Sequence, residues 1–253
     1  MQGRPQGGPL KKGKGTMAYK AVFFDLDGTV YNYNRGDRLG KEAISSYMER
    51  EFGLSGEETG RALKWAFLEA GNRIGYSCGA LHNRLIRYQM MLEHLSLPIH
   101  PHAMALASLY WDTLIGQAQP EPGLIPLLQA LRSRGLITGF GTNMTAMIQF
   151  KKLDRLGLWP YTDVLVTSEE VGTEKPDRRV FDWCARKASL SNEECIFIGD
   201  TWAHDVDGAR KAGMEGILYR GKESDPVPFE ERILSFENCL TGDGIRLGKI
   251  LLP

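Results

Sequence analysis

Cysteine is scarce in this 253-residue sequence, which contains only four. Cys78, Cys184, Cys195 and Cys239 are widely separated and form no Cys-x-x-Cys pair. Widely spread cysteines of this kind are typical of free thiols in a reducing compartment. The sequence therefore predicts neither a disulfide framework nor a zinc site.

Net charge and long apolar runs are also missing. Lysine plus arginine and aspartate plus glutamate both number 31, so no charge excess favours nucleic acid or a membrane surface. No apolar run approaches the roughly 20 residues of a membrane span, and no signal-peptide core is present. We expect a cytoplasmic protein without nucleic-acid or membrane partners, either a monomer or a weak homodimer.

Hydrophobic residues make up 42% of the chain, which is typical of a globular protein with a full core. Residues 1–16 differ, because they hold five glycines, two prolines and four basic residues and almost nothing apolar. Such a segment cannot offset the entropy cost of ordering, so it predicts a disordered basic tail. No internal repeat is visible.

From residue 118 onwards, apolar strand-like runs alternate with helical patterns. Strands are expected at 136–141, 163–167, 195–199 and 216–219, in addition to a first strand at 19–26. This alternation predicts an α/β fold with a doubly wound parallel sheet, a Rossmann-like core formed by residues 17–36 and 118–253. The apolar segment 245–252 is expected to pack back on it.

The segment 37–117 has helical periodicity and few strand signals, which predicts an all-helical cap domain inserted after the first strand. Two glycine-containing stretches are interpreted as irregular: a turn-rich link at 31–36 and a loop at 71–79 between helices.

Two carboxylates, Asp25 and Asp27, stand at the carboxyl end of the first strand, the edge where parallel sheets bind ligands. Side chains alternate along a strand, so both can point the same way. Like charges this close repel unless a cation joins them, and oxygen ligands suit Mg²⁺. Alternatively, Asp-Leu-Asp-Gly is only an acidic turn.

Three polar residues follow the next strands. Thr142 and Asn143 precede a helix whose first amides can hold an anion, although they can also be simple caps. Lys175 lies before Pro176 and can neutralise phosphate, or it is an ordinary surface lysine. The run 139–141 is a weak dinucleotide signal, but Met144 replaces its third glycine, so a dinucleotide cofactor is not expected.

The fourth strand ends at Asp200, with Asp205 about one turn later. Asp200 would complete the metal ligands, and Asp205 would act beside it or through water. The alternative for Asp205 is a charge that complements the helix dipole.

These motifs, in this order and at strand ends, resemble the haloacid-dehalogenase-like hydrolase superfamily, in the branch with a helical cap between the first and second motifs. The residues that carry the resemblance are Asp25-Leu26-Asp27-Gly28-Thr29, Thr142, Lys175-Pro176 and Gly199-Asp200 to Asp205. The resemblance spans 19–219. His204 departs from it, since many relatives carry asparagine there, and we interpret it as a local residue.

The resemblance implies a role for each residue. Asp25 would be the nucleophile that forms an aspartyl phosphate, and Asp27 the acid and base. Mg²⁺ would be held by Asp25, the Asp27 carbonyl and Asp200. Thr142 and Lys175 would bind phosphoryl oxygens, and Asn143 would arrange their loop.

The expected function is a Mg²⁺-dependent phosphatase for a small phosphorylated metabolite, either a nucleoside monophosphate or a sugar phosphate. Asp27 argues against a dehalogenase, because halide leaves without protonation. A sugar-phosphate mutase and a catalytically silent binding module stay open. Arg73 and Tyr76, in the expected loop at 71–79, are predicted to contact the substrate.

Overall fold

The computed structural model describes residues 19–240 and contains a five-stranded sheet in the order β3-β2-β1-β4-β5. All neighbouring strands are parallel, which confirms the predicted sheet. The strands are β1 (Ala21–Phe24), β2 (Ile137–Thr142), β3 (Val164–Thr167), β4 (Cys195–Gly199) and β5 (Glu215–Leu218). The expectations for 1–16 and 245–252 lie outside the described residues.

Both faces of the sheet are buried, as the apolar strand sequences require. Val22 and Phe24 point into one hydrophobic core, and Ala21 and Phe23 point into the other. The chain passes from β1 through β2 to β3 on one side and then returns to β4 and β5 on the other. The sheet order therefore switches at β1, where open parallel sheets form their ligand crevice.

The described part of the chain contains nine α-helices. They are α1 (Tyr33–Phe52), α2 (Gly56–Ile74), α3 (Arg84–His94), α4 (His102–Gly116), α5 (Leu124–Ser133), α6 (Ala146–Leu156), α7 (Ser168–Val171), α8 (Arg178–Lys187) and α9 (Asp207–Ala212). Helices α1 to α4 all lie between β1 and β2, and we call residues 33–116 the helical insertion. None of the described helices is both long and apolar enough to span a bilayer.

The expected turn-rich link at 31–36 is wrong, because α1 already begins at Tyr33. Asn32 caps this helix by accepting a hydrogen bond from the Arg35 amide at 3.0 Å. A Cβ at Gly36 would lie 2.9 Å from Leu114 of α4, and one at Gly40 would lie 2.8 Å from the Tyr110 ring. Gly36, which was expected in a turn, and Gly40 thus both permit close packing of α1 on α4.

The expected loop at 71–79 is wrong in its first part, since α2 continues to Ile74, whereas residues 75–78 are irregular. Tyr76 folds back over the helix, and its ring occupies the place where a Cβ of Gly71 would be. Gly71 therefore makes room for an aromatic ring rather than breaking the helix.

Leu128 on α5 tests the contribution of the sheet-covering helices to stability. Its side chain is fully buried, so Leu128→Ala should lower the free energy of unfolding by about 2–5 kcal/mol through lost contacts and a cavity. Urea denaturation measures this change. Leu68→Ala on α2 is the matched control, because Leu68 is 45% exposed and should cost only about 0.5 kcal/mol. Equal losses in both variants would contradict this account of the core.

Candidate active site

Three carboxylates come together at the carboxyl ends of the adjacent strands β1 and β4. Asp25 directly follows β1, and its amide donates to the Ile198 carbonyl at 2.8 Å, which continues the ladder between the strands. Asp200 directly follows β4, and Asp205 lies in the helical turn Trp202–Val206. One carboxylate oxygen from each of the three lies within 4.8 Å of the others.

Lys175 joins two of these carboxylates. Its buried ammonium donates to Asp25 Oδ1 at 2.5 Å and to Asp205 Oδ1 at 2.6 Å. Asn143 fixes the lysine backbone in both directions: it accepts from the Lys175 amide at 2.7 Å and donates to the Lys175 carbonyl at 3.1 Å. Lys175 is therefore aimed at the cluster by a residue from the end of β2.

Thr29 lies on the other side of Asp25. Its hydroxyl is 3.5 Å from Asp25 Oδ2 and 3.4 Å from Asp200 Oδ1, so these two carboxylate oxygens face the same small space. Gly28 makes this approach possible, because its φ is +96° and a Cβ there would lie 2.5 Å from Asp200 Oδ2. Gly28, in the sequence Asp27-Gly28-Thr29, thus leaves room for Asp200 beside the end of β1.

The electrostatics of the cluster show a shortage of positive charge. Burial raises the pKa of Asp25 well above its usual range, and the attraction of Lys175 only partly offsets this. Burial and repulsion from Asp205 raise the pKa of Asp200 to about 6. Burial alone would lower the pKa of Lys175, but Asp205 and Asp25 outweigh burial and raise it. A divalent cation among the three carboxylates would relieve their repulsion, and all-oxygen donors suit Mg²⁺.

The Asp27 carboxylate lies outside this cluster and has its own ammonium partner. Lys152 of α6 donates to Asp27 Oδ1 and Oδ2 at 2.6 and 2.8 Å, Gln149 donates at 3.1 Å, and the Tyr31 hydroxyl donates as well. Burial acts to raise the pKa of Asp27, but the charge and hydrogen bonds of Lys152 dominate and lower it. The ionised carboxylate is therefore the favoured form of Asp27.

Thr142 ends β2 and is fully buried. Its hydroxyl oxygen accepts from the Gln149 amide at 2.7 Å, and the same amide donates to Asp27. Gln149 therefore links the end of β2 to the second acid of the Asp-Leu-Asp motif. The structure brings Thr142, Asn143 and Lys175 to the same edge as the acids, as expected from the strand ends.

Arg73 and Tyr76 make their contacts elsewhere. Arg73 is exposed and pairs with Glu69 at 2.5 Å on its own helix, and the Tyr76 hydroxyl donates to the Leu68 carbonyl at 3.2 Å. Within residues 19–240, neither side chain has a hydrogen bond or ion pair with the acidic residues of the site. His204 is exposed to solvent beside the cluster.

The sequence analysis missed Lys152, Gln149 and Tyr31. Lys152 and Gln149 are both fully buried on α6, on the same face as Ile148 and Leu156. Polar residues at i and i+3 on the apolar face of a helix are the signal that could have revealed them, because buried polar groups need partners.

A double-mutant cycle on Asp27 and Lys152 measures their coupling. Lys152→Met leaves a carboxylate without its cation and should reduce the free energy of unfolding by about 3 kcal/mol. Asp27→Asn added to Lys152→Met should restore part of this loss, since a neutral amide is less costly to bury. Chemical denaturation gives the four values.

Lys151→Met is the control for the loss of a lysine, because Lys151 neighbours Lys152 and is exposed. It should change stability by about 0.5 kcal/mol or less. Strict additivity of the Asp27 and Lys152 changes would show that the ion pair does not stabilise the fold.

The chain is similar to known proteins over most of its length. Residues 19–213 match the family model of haloacid dehalogenase-like hydrolases. A glyceraldehyde 3-phosphate phosphatase of Methanopyrus kandleri is 34% identical over 83% of this chain and 88% of its own length. A ribulose-1,5-bisphosphate 5-phosphatase of Halopiger xanaduensis is 33% identical over 84% and 90%.

A solved structure shares the fold. The crystal structure of a HAD phosphatase from Thermococcus onnurineus superposes with a TM-score of 0.67 at 24% identity, covering 92% of this chain and 98% of that one. The residues that match the family model, 19–213, include both strand ends that carry the carboxylates, and the curated relatives named above are phosphatases. The chain therefore belongs to the haloacid dehalogenase-like hydrolases, among the phosphatases of that family.

Proposed function

We propose that this phosphatase hydrolyses a small phosphorylated metabolite through an aspartyl phosphate at Asp25, with Mg²⁺ as cofactor, in the cytoplasm. The observation that carries the proposal is the cluster of Asp25, Asp200 and Asp205 around the ammonium of Lys175. Phosphoryl transfer needs a nucleophile and positive charge near the equatorial oxygens. Asp25 offers the nucleophile, Lys175 offers one positive charge, and a divalent cation held by the three carboxylates would supply the rest.

Asp25 is the proposed nucleophile. Its carboxylate attacks phosphorus, the bond from phosphorus to the ester oxygen breaks, and the leaving oxygen takes a proton from Asp27. In the second step water loses a proton to Asp27 and attacks phosphorus, and the bond to Asp25 breaks. The proton that Asp27 takes from water in the second step is the one that it donates in the first step of the next cycle. The contacts of Asp27 with Lys152 lower its pKa and favour the ionised form, which is the form that accepts the proton of water, so the first step uses the less favoured, protonated form.

Mg²⁺ would be held by Asp25, Asp200 and Asp205, together with the Asp27 carbonyl that the family resemblance implies. Bound there, the ion supplies positive charge to the phosphoryl oxygens and reduces the repulsion between phosphate and carboxylates. Thr142 and Lys175 are the proposed protein ligands of the phosphoryl group, and Asn143 positions Lys175.

The helical insertion is proposed to act as the cap domain that the sequence predicts at residues 37–117. Its turn Gly79–His82 touches the catalytic half of the chain: His82 Nε2 lies 2.9 Å from Glu174 Oε1, next to Lys175. Arg73 and Tyr76 stay predicted substrate contacts of this cap, although their present partners lie on α2.

The curated relatives support a small substrate, because their names specify glyceraldehyde 3-phosphate and ribulose-1,5-bisphosphate. A panel of sugar phosphates and nucleoside monophosphates with a phosphate-release assay tests the proposal. Release of phosphate from at least one compound supports hydrolysis. Movement of the phosphoryl group within the substrate without release would instead indicate a mutase.

Asp25→Asn tests the covalent mechanism. The amide cannot attack phosphorus, so kcat should fall at least about a thousandfold while the fold is unchanged. Circular dichroism and phosphate release measure the two properties. Asp112→Asn is the matched control, since Asp112 is exposed on α4 and the variant should retain activity. Substantial turnover by well-folded Asp25→Asn would rule out the aspartyl phosphate.

Asp200→Asn tests the metal site. Loss of one charged ligand should raise the Mg²⁺ concentration for half-maximal activity at least about tenfold, while excess Mg²⁺ restores part of the rate. Activity measured across a Mg²⁺ series, again with Asp112→Asn as control, gives this value. An unchanged Mg²⁺ dependence would place the metal elsewhere.

A further inference from the structure

A cleft of about 1000 Å³ opens among helices α1 to α4 of the insertion. Its charged lining residues, apart from histidine, are Arg38, Lys41, Lys64, Arg84, Arg87, Asp37 and Glu42. Two of the cations are neutralised locally, because Arg38 pairs with Glu42 at 2.7 Å and Lys41 pairs with Asp37 at 2.6 Å. The remaining charged residues of the lining are the cations Lys64, Arg84 and Arg87, so the cleft carries excess positive charge.

Arg84 is the buried cation of this cleft, with only 7% of its surface exposed. Its Nη2 donates to the Tyr110 hydroxyl at 3.0 Å and to the Tyr33 hydroxyl at 3.3 Å. Nη1 is buried and has no hydrogen-bond partner among the described residues. A buried guanidinium without a carboxylate is costly, which indicates that an anion completes this site.

Arg87 lies one helical turn after Arg84 and faces the same cleft. Its guanidinium carbon is 4.8 Å from the centre of the Phe67 ring, and no ion pair within residues 19–240 joins it to a carboxylate. Burial and repulsion from Arg84 lower the pKa of Arg87 to about 10, so it is still cationic at neutral pH. An anion between the two guanidinium groups would remove their repulsion.

Tyr33 connects this cleft to the catalytic residues. Its hydroxyl accepts from Arg84, and its ring centre is 5.7 Å from the ammonium of Lys152, which in turn binds Asp27. A single tyrosine ring therefore separates the environment of Asp27 from that of Arg84.

We propose that Arg84 and Arg87 bind a second anionic group of the substrate, a phosphate or a carboxylate, while the first phosphate is at Asp25. The substrate class is then a short phosphomonoester with an additional anion. This inference rests on the proposed phosphatase function. Arginine suits the role because its planar donors bind phosphate and carboxylate in pairs.

A purely structural role for Arg84 is the competing explanation. Its guanidinium also lies over the rings of Tyr110 and Trp111, at 4.7 and 5.3 Å from their centres. A structural arginine would affect stability, or turnover of all substrates equally. An anion-binding arginine affects the selectivity between substrates that differ only in the second anion.

The experiment uses the full chain and two matched substrate pairs, one for each source of the anion. Fructose 1,6-bisphosphate is compared with fructose 6-phosphate, and 3-phosphoglycerate with glycerol 3-phosphate. The wild type should prefer the member with the additional anion at least about tenfold in kcat/KM in one of the pairs. That pair identifies phosphate or carboxylate as the second group.

In the preferred pair, Arg84→Gln and Arg87→Gln should each reduce the ratio of the two kcat/KM values at least about tenfold, chiefly through a higher KM for the compound with the additional anion. Arg61→Gln is the matched control, because Arg61 is an exposed arginine of α2 that pairs with Glu57. The control should leave the ratio unchanged. If Arg84→Gln does not fold, Arg87→Gln decides alone.

No preference in either pair, or equal losses on both members in Arg87→Gln, would overturn the anion site and leave the phosphatase function intact. The proposed function fails separately if the wild type releases phosphate from none of these compounds nor from p-nitrophenyl phosphate.

Discussion

Repulsion among carboxylates at one sheet edge is the constraint on which the rest of the site depends. Three of them share this edge, and one buried ammonium, that of Lys175, contacts two. Asn143 holds the backbone of this lysine by accepting a hydrogen bond from its amide. Gly199 makes room for the third acid, since a Cβ there would lie 2.4 Å from the Asp205 carboxyl carbon. This edge of the sheet thus carries more negative than positive charge.

Two acids separated by one residue have opposite electrostatic environments. Burial and a shared lysine leave Asp25 with a raised pKa, whereas Lys152 serves Asp27 alone and lowers its pKa. Alternation along a strand allows both side chains to point the same way, and in the structure each contacts a different ammonium group. Separate partners of this kind allow neighbouring carboxylates to take different roles, one as nucleophile and one as proton carrier.

Local signals explain what the sequence could predict. Apolar runs mark the strands, and a parallel sheet brings their carboxyl ends to one edge. The sequence alone therefore predicts that Asp25, Thr142 and Asp200 lie at that edge.

The missed features depend on contacts far apart in sequence. In the sequence Gly36 looks like a turn residue, but in the structure Leu114 packs against it. Lys152 likewise looks like a surface lysine of a helix, but its ammonium binds Asp27. Tertiary packing decides which neighbour each side of a helix contacts, and hydrophobic periodicity alone does not predict that neighbour. A polar residue on an apolar helix face is the exception that sequence can show.

The environment of Lys152 joins the two halves of the chain. Its ammonium lies over the rings of Tyr31, Tyr33 and Trp111, and Trp111 belongs to α4 of the insertion. These rings exclude water, and the ion pair with Asp27 is strong because its surroundings have a low dielectric constant. A displacement of α4 would admit water beside Lys152, weaken that pair and move the pKa of Asp27 toward its ordinary value. The surroundings that set the pKa of Asp27 therefore include a residue of the insertion as well as residues of the sheet half.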